Sequence, residues 1–165
     1  MSGSPRLATL GAAARRGVAA GLCGVAVMTA AEKVEQRLTH RADSHVPARA
    51  LRTLLGFDPD AANQPAVWNH AMHWGTGAVL GTLSGVWAAL GLRGPRAYAA
   101  HTVVRLAFDQ TVENATGVGA PPHTWPKQEQ VIDVAHKAFY SFATGIIAER
   151  LVGPRLETHR GTRSH

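Results

Sequence analysis

The chain has 165 residues, a charged share of 17% and a net charge of +6 at pH 7. Its length suits one domain, and the charged share lies below the roughly 25% of an average soluble domain. The basic residues form no dense block and no DNA-reading motif is present, which argues against a nucleic-acid partner. Cys23 is the single cysteine, which rules out an internal disulfide. Because its neighbours are Leu22 and Gly24, we expect it to be buried.

Four long helices are predicted in chain order, and no segment shows strand-like alternation of useful length. Proline, glycine and short polar residues mark their ends. The predicted ranges are Leu10–Thr39 for the first helix, Pro65 to the turn beginning at Gly91 for the second, Arg96–Asn114 for the third, and about Pro126 to the residue before Gly153 for the fourth.

The remaining segments are polar or basic. Residues 1–8 and the basic tail 154–165 are predicted to be disordered, which leaves 9–153 as the folded domain. A short surface helix is predicted at Pro47–Leu55, inside the polar connector 40–64. Since short loops join antiparallel neighbours, the expected fold is an all-α, four-helix up-down bundle.

Uncharged stretches indicate that this bundle spans a membrane. Ala61–Leu92 runs 32 residues without Asp, Glu, Lys or Arg, longer than the roughly 20 residues that a helix needs to cross a bilayer. The apolar part of the first helix, Gly17–Ala31, is shorter, but flanking arginines extend it because their long side chains reach toward water. A lipid bilayer is therefore the expected partner of the domain 9–153.

Basic residues are distributed unevenly between the two ends of such a bundle. Four spans put residues 1–16, the turn 93–96 and the tail after Pro154 on one side, and these segments are rich in arginine. The loop Gly117–Gln130 on the other side holds only Lys127 as a base. Since cytoplasmic loops carry the excess of Lys and Arg, we expect a multi-pass protein of the bacterial inner membrane with both termini in the cytoplasm.

A ladder of glycines marks one face of the second helix. Gly77, Gly81 and Gly85 recur at four-residue spacing, which lets another helix approach closely. The sequence leaves open whether that helix belongs to the same chain, to a second copy in a homo-oligomer or to another membrane subunit.

Ionisable and polar residues collect where the four helices reach the outer end. His70 and His73 share one face, as do Asp133 and His136, and Arg105, Asp109 and Glu113 form a row along the third helix. The candidate cluster comprises Glu32, His70, His73, Asp109, Glu113, Asp133 and His136.

Three interpretations of this cluster stay open. Carboxylates and imidazoles converging from several helices suit a divalent metal site. Ionisable groups inside a membrane also suit a proton or ion path, and histidine titrates near neutral pH. The third interpretation is a neutralised ion-pair network, with Arg105 bonded to Asp109 and with Lys33 or Lys137 bonded to Glu32 or Asp133.

The molecular function is less constrained than the fold. No nucleophile motif, phosphate-binding loop or dinucleotide fingerprint is present, which favours a non-enzymatic role. The expected protein is a small polytopic membrane protein that responds to pH or ions through the cluster. The alternative is a soluble four-helix bundle that binds a metal or small ligand through the same residues.

Three motifs in the second half carry a family resemblance. They are His73-Trp-x-x-Gly77, the loop Gly-x-x-Pro-x-x-Trp-Pro-x-x-Glu from Gly119 to Glu129, and Asp133-x-x-His136-Lys. Over about residues 65–150 the chain resembles the YagU family of small bacterial inner-membrane proteins. The resemblance implies a polytopic inner-membrane protein with no established biochemical activity and a connection with acid stress. No catalytic residues come with it.

Overall fold

Helices account for all the regular structure in the ranges that the computed structural model describes, residues 5–60 and 66–153. Within those ranges there is no strand, so the prediction of an all-α chain is confirmed. The helices are α1 at Pro5–Thr39, α2 at Val46–Leu54, α3 at Ala66–Ala89, α4 at Pro95–Ala115 and α5 at Lys127–Leu151, with a short 3-10 helix at Pro122–Thr124.

Most helix ends lie within a few residues of their predicted positions. The exception is α1, which begins at Pro5 instead of Leu10, so residues 5–8 are helical where disorder was expected. Ala8, Ala12 and their neighbours are strong helix formers, and they extend the helix toward the N-terminus. Residues 1–4, the segment 61–65 and the tail 154–165, for which predictions were made, lie outside the described residues.

Glycines bring α1 and α3 into backbone contact along an antiparallel seam. A Cβ added at Gly85 would lie 2.8 Å from the Cα of Gly17, and one added at Gly81 would lie 2.7 Å from the Cα of Gly21. Both distances are shorter than real Cβ atoms adopt, so only glycine fits here. The face of α3 that carries Gly77, Gly81 and Gly85 is thus covered by α1 of the same chain, and a second copy would have to displace α1 to use it.

The fifth helix packs against both members of this seam. The hydroxyl of Tyr140 donates a 2.7 Å hydrogen bond to the carbonyl oxygen of Gly77, and Ala148 and Val152 pack with Ala13 and Ala20 of α1. By contrast, α4 packs mainly on α5 and touches α2 and α3 at only a few positions. Helix α4 is therefore the most peripheral of the four long helices.

Polar side chains lie in the interior beside apolar ones, and many large apolar side chains face outward. His101, Arg105, Ser141 and Thr144 are buried, as are the core residues Val25, Met28, Leu80 and Tyr140. The exposed large apolar residues at the same levels include Leu22, Val27, Val79, Val103, Phe139, Phe142 and Ile146. Buried polar groups together with so many exposed large apolar ones depart from a typical water-soluble protein, in which large apolar residues are mostly buried.

Cys23 follows the same outward pattern. It is exposed, so the prediction of a buried thiol is wrong. The physical reason is helical geometry: Gly21 and Gly24 occupy the inward face of α1, which turns the two residues between them outward.

Among the described helices, α1 alone is long and apolar enough to cross a membrane, with a mean hydropathy of 1.4 in its most apolar stretch. The buried core helix of a soluble protein or a signal sequence has the same length and composition. Helix α3, which lies in the uncharged stretch, is not apolar enough by the same measure, because its histidines, glycines and tryptophans lower its mean hydropathy.

Arginine side chains join the helices at one end of the molecule, which we call the arginine end. Arg93 donates hydrogen bonds to the carbonyl oxygens of Ala88 at 3.1 Å, Glu149 at 2.7 Å and Val152 at 3.0 Å. The carboxylate of Glu149 accepts a 2.6 Å hydrogen bond from the backbone nitrogen of Gly94. These contacts satisfy carbonyls that the ends of α3 and α5 would otherwise leave unpaired.

Candidate functional site

A cavity of about 430 Å³ lies at the opposite end, which we call the cavity end. All five α-helices contribute to its walls, together with the loop residues Gly119, Ala120, Trp125 and Pro126. Six of the seven residues in the candidate cluster line it: Glu32, His73, Asp109, Glu113, Asp133 and His136. The seventh, His70, is exposed on α3 and does not line the cavity.

Alternating charges join α4 to α5 along one wall of the cavity. Arg105 Nε donates to Asp109 Oδ2 at 3.0 Å, and Lys137 Nζ lies 3.6 Å from the same carboxylate oxygen. Lys137 also forms an ion pair with Asp133. The predicted pairs Arg105–Asp109 and Lys137–Asp133 are thus present, whereas Lys33 pairs with Asp43 and not with Glu32 or Asp133.

Arg105 is the most deeply buried charge in this row. Its relative exposure is 3%, and its guanidinium lies 4.8 Å from the centre of the Tyr140 ring, a cation–π contact. Among the described residues, its Nη1 atom has no hydrogen-bond partner. A guanidinium nitrogen can only donate, so this buried atom needs an acceptor that the described part of the chain does not supply.

His73 places a second polar atom at the same depth. Its Nε2 atom is buried and has no hydrogen-bond partner within residues 5–60 and 66–153. The side chain lines the cavity beside Thr76 and Met72. The inner end of the cavity therefore holds two polar atoms whose hydrogen-bonding capacity is unused.

His101, one turn below Arg105 on α4, is fully bonded and lies outside the cavity. Its Nε2 lies 3.1 Å from the carbonyl oxygen of Leu80, and its Nδ1 lies 3.1 Å from the hydroxyl of Ser141. Because a carbonyl oxygen only accepts, the assigned tautomer carries its proton on Nε2 and accepts from Ser141 at Nδ1. This histidine links α3, α4 and α5 and leaves no free group for a ligand.

Glu113 occupies the outer part of the cavity, two turns along α4 from Arg105. Burial raises the pKa of this carboxyl group to about 7, while nearby Lys137 acts in the opposite direction and Asp109 and Asp133 reinforce the rise. The side chain lies against Gly119, where an added Cβ would come within 2.7 Å of the Cβ of Glu113. The loop glycine thus closes over a carboxyl group that changes charge near neutral pH.

The polar connector supplies the mouth of the cavity. Arg41 binds both carboxylate oxygens of Glu35, with a shortest contact of 2.8 Å, and this hydrogen-bonded ion pair holds the pKa of Glu35 below its usual range. Asn69 of α3 fixes α2 by accepting from the backbone nitrogen of Ala48 at 3.2 Å and donating to Ser44 at 3.0 Å. Ser44, Val46, Pro47 and Ala50 thereby become part of the wall.

The arrangement does not form a metal-ligand set. No group of three or more His, Cys, Asp or Glu side chains is placed to hold a metal ion in the described part of the chain. Asp109 and Asp133 face Lys137, and Glu32 accepts a 3.5 Å hydrogen bond from Gln36. The cluster residues line the walls of the cavity, and their side chains do not converge on one position where a metal ion could be bound.

Several lining residues were absent from the sequence-based cluster. Arg105 and Lys137 were considered only as neutralising partners, and Arg41, Glu129 and Trp125 were not included. For Arg105, the signal was a lone arginine within a stretch of apolar and small residues, Ala97 to Phe108. Comparisons of the chain with protein-family models, with curated proteins and with solved structures gave no match.

Proposed function

We propose that this protein is a polytopic integral membrane protein, built as a four-helix up-down bundle, whose cavity is a pH- or ion-responsive site open to the outer aqueous phase. The surface of the helices carries this proposal. In segments 17–31, 71–90, 97–110 and 134–149, no charged side chain is exposed. At about 1.5 Å per residue these segments are roughly 21–30 Å long, comparable with the ~30 Å hydrocarbon core of a bilayer.

The same surface accounts for the modest hydropathy of α3, α4 and α5. Their inward faces carry residues such as Ser84, Arg105 and Thr144, which lower an average taken over the whole helix. Their outward faces carry Val79, Val103 and Phe142, which suit contact with lipid. In a bilayer, small and polar residues pack between helices because the surrounding lipid is itself apolar.

The distribution of arginines supports one orientation. The arginine end collects Arg15, Arg16, Arg93, Arg96 and Arg150. Under the positive-inside rule this end faces the cytoplasm of a bacterial cell, so the cavity faces outward. A polytopic protein of the bacterial inner membrane is also what the resemblance to the YagU family implies.

The role of the cavity is proposed from its chemistry. Glu113 is a titratable group that lines the cavity, together with His73 and His136. Burial raises the pKa of the Glu113 carboxyl group to about 7, so its charge changes near neutral pH, and this change alters the balance of charge around the Arg105–Asp109–Lys137–Asp133 row. Such a site suits sensing or binding of protons and ions, and no reaction step is assigned to it.

Extraction of membranes with alkaline carbonate tests the location. We expect the protein to stay in the pellet. Release into the supernatant would overturn the membrane proposal and favour the alternative, a soluble four-helix bundle that binds a metal or small ligand in the same cavity. The near-zero mean hydropathy of −0.06 favours that alternative, and metal analysis of the purified protein checks it directly.

A fluorescence titration tests the response. Trp125 lines the cavity, so we expect its emission to change around pH 7, where the carboxyl group of Glu113 titrates. Replacing Glu113 by glutamine should remove the change and leave membrane insertion intact. Asp43→Asn is the control, because this exposed carboxylate does not line the cavity. A titration that Glu113→Gln leaves unchanged would contradict the proposal.

A further inference from the structure

The inner end of the cavity holds a buried hydrogen-bond donor without an acceptor, which suits a ligand that accepts hydrogen bonds. Arg105 is 3% exposed, yet its Nη1 has no acceptor among the described residues. Its Nε already binds Asp109, so the donors known to be unused are those of Nη1. Guanidinium groups match carboxylates best, because two parallel N–H groups can bind both carboxylate oxygens.

The side chains in the outer part of the cavity favour a ligand with a positively charged group. Arg105 and Lys137 balance Asp109 and Asp133 within the row that joins α4 to α5. Three further carboxyl groups line the cavity, those of Glu32, Glu113 and Glu129. The remaining base, Arg41, already binds Glu35. Above about pH 7, where Glu113 is ionised, the charge left without a counterion is therefore negative.

Size and apolar lining favour an organic ligand over a bare ion. The volume of about 430 Å³ falls within the range of small-molecule sites, roughly 300–1,000 Å³. Met28, Met72, Val112 and Ile132 contribute apolar wall between the charged groups. This combination of apolar walls with a few polar groups at fixed positions is typical of small-molecule pockets.

We propose that the cavity binds a small zwitterion of the amino-acid class, with its carboxylate toward Arg105 and its ammonium group toward Glu113. The inference rests on the proposed function, in that the cavity must open to water at the outer end. It adds the ligand class and assigns the two ends of the ligand to the two named side chains. His73 Nε2 lies at the carboxylate end and supplies the second polar contact there.

Calorimetric titration of the full-length protein in detergent micelles tests this proposal. The probes are glycine, β-alanine and 4-aminobutyrate, which separate the two charges by increasing distances, together with acetate and methylamine, which carry one charge each. We expect at least one zwitterion to bind about tenfold or more tightly than either single-charge probe, because both ends gain a charged partner.

Two variants and one control locate the ligand. Glu113→Gln keeps the shape and removes the charge, and should weaken zwitterion binding about tenfold. Arg105→Lys keeps the buried charge but removes the planar guanidinium group, and should weaken zwitterion binding by a similar factor. Asp43→Asn removes an exposed carboxylate that does not line the cavity and should leave binding unchanged.

Each other outcome overturns the proposal in a recognisable way. Methylamine binding as tightly as the zwitterions would indicate a simple cation site, and acetate binding as tightly would indicate an anion site. If no probe binds while Trp125 still reports the pH response, buried water fills the cavity and the proposed function stands without this ligand. Release of the protein by carbonate would instead contradict the proposed function itself.

Discussion

The two ends of the molecule use a buried or half-buried arginine in opposite ways. At the arginine end, Arg93 donates three hydrogen bonds to backbone carbonyls of α3 and α5, and Glu149 caps the start of α4. At the cavity end, Arg105 makes one ion pair and one ring contact and leaves Nη1 without a described partner. Arg93 thus joins helix ends through backbone carbonyls, whereas Arg105 lines the cavity and keeps a buried donor atom without a described acceptor.

This difference separates a structural role from a candidate binding role for the same residue type. A guanidinium that donates three hydrogen bonds to the backbone, as Arg93 does, stabilises the fold. A buried guanidinium with unused donors costs free energy, roughly 1–3 kcal/mol for an unsatisfied buried group. The chain tolerates that cost at the cavity end, which is the expected sign of a site.

The largest loss of stability should come from disrupting the glycine seam between α1 and α3, which runs between the two ends. Gly81→Leu would drive a side chain into the backbone of Gly17 and Gly21, which cannot move away without separating α1 from α3. We expect a loss of at least about 3 kcal/mol in the free energy of unfolding, at the upper end of overpacking costs. Thermal unfolding in detergent measures it.

Gly75→Leu is the matched control for that change, because no atom lies within 4 Å of a Cβ added there. It should unfold at the same temperature as the unmodified protein. Equal destabilisation by both substitutions would contradict the close seam, because replacing a helical glycine at an open position should not itself weaken the helix.

A smaller loss is expected from opening the arginine end. Arg93→Met removes the three hydrogen bonds to carbonyl groups while keeping most of the side-chain volume. We expect a destabilisation of about 2–3 kcal/mol, since charged donors contribute more than neutral ones. The pH-dependent emission of Trp125 should persist. Its loss would show that the two ends are coupled.

The cavity end should show a pH dependence that the arginine end lacks. The pKa of Glu113 is raised from 4.5 to about 7 by burial. Between these two values the folded protein binds more protons than the unfolded chain, so the free energy of unfolding should fall as pH rises from 4.5 to 7. Below 4.5 the carboxyl group is protonated in both states and contributes no slope.

Glu113→Gln should flatten that part of the profile of melting temperature against pH, because glutamine does not titrate. Asp109, Asp133 and Lys137 face the same carboxyl group and remain present in both proteins. A profile that keeps the same slope after the substitution would assign the pH dependence to one of those neighbours.

The smallest change in the free energy of unfolding is expected from a substitution at the mouth of the cavity. Glu35→Gln weakens the pairing with Arg41, and a partly exposed ion pair contributes less than about 1 kcal/mol. Because the pKa of Glu35 is lowered in the folded state, its contribution is present above the unfolded value of 4.5 and is lost as pH falls through the folded pKa. The difference between the two proteins should therefore vanish in acid, as chemical unfolding at two pH values would show.

Local patterns were enough to predict the helices. Pro95 after Gly94 starts α4, because proline fits the first helical turn and Gly94 adopts a positive φ of 79°. The i, i+4 pairs Arg105–Asp109 and Lys137–Asp133 also follow from helix geometry alone. Six cluster residues meet at the cavity because they lie at one level in an antiparallel arrangement.

Features that depend on long-range placement were not predictable from the sequence. The connector closes the mouth only because Asn69 binds α2 across 21 residues of chain, and nothing local to Ala48 indicates this contact. The sequence also did not show which face of α3 turns toward the cavity: His70 faces outward although it lies three residues from His73. Lys33 is exposed and binds Asp43, a partner that its own helix does not provide.

The glycine seam has a mechanical consequence for the cavity. Backbone contact between α1 and α3 leaves no soft side chains that could rearrange, so these two helices should move as one rigid body, with α5 held against them. Helix α4 has few contacts outside α5, and it carries Arg105, Asp109 and Glu113. Among the long helices, α4 is therefore the one that we expect to be displaced against a fixed frame when the charges on it change.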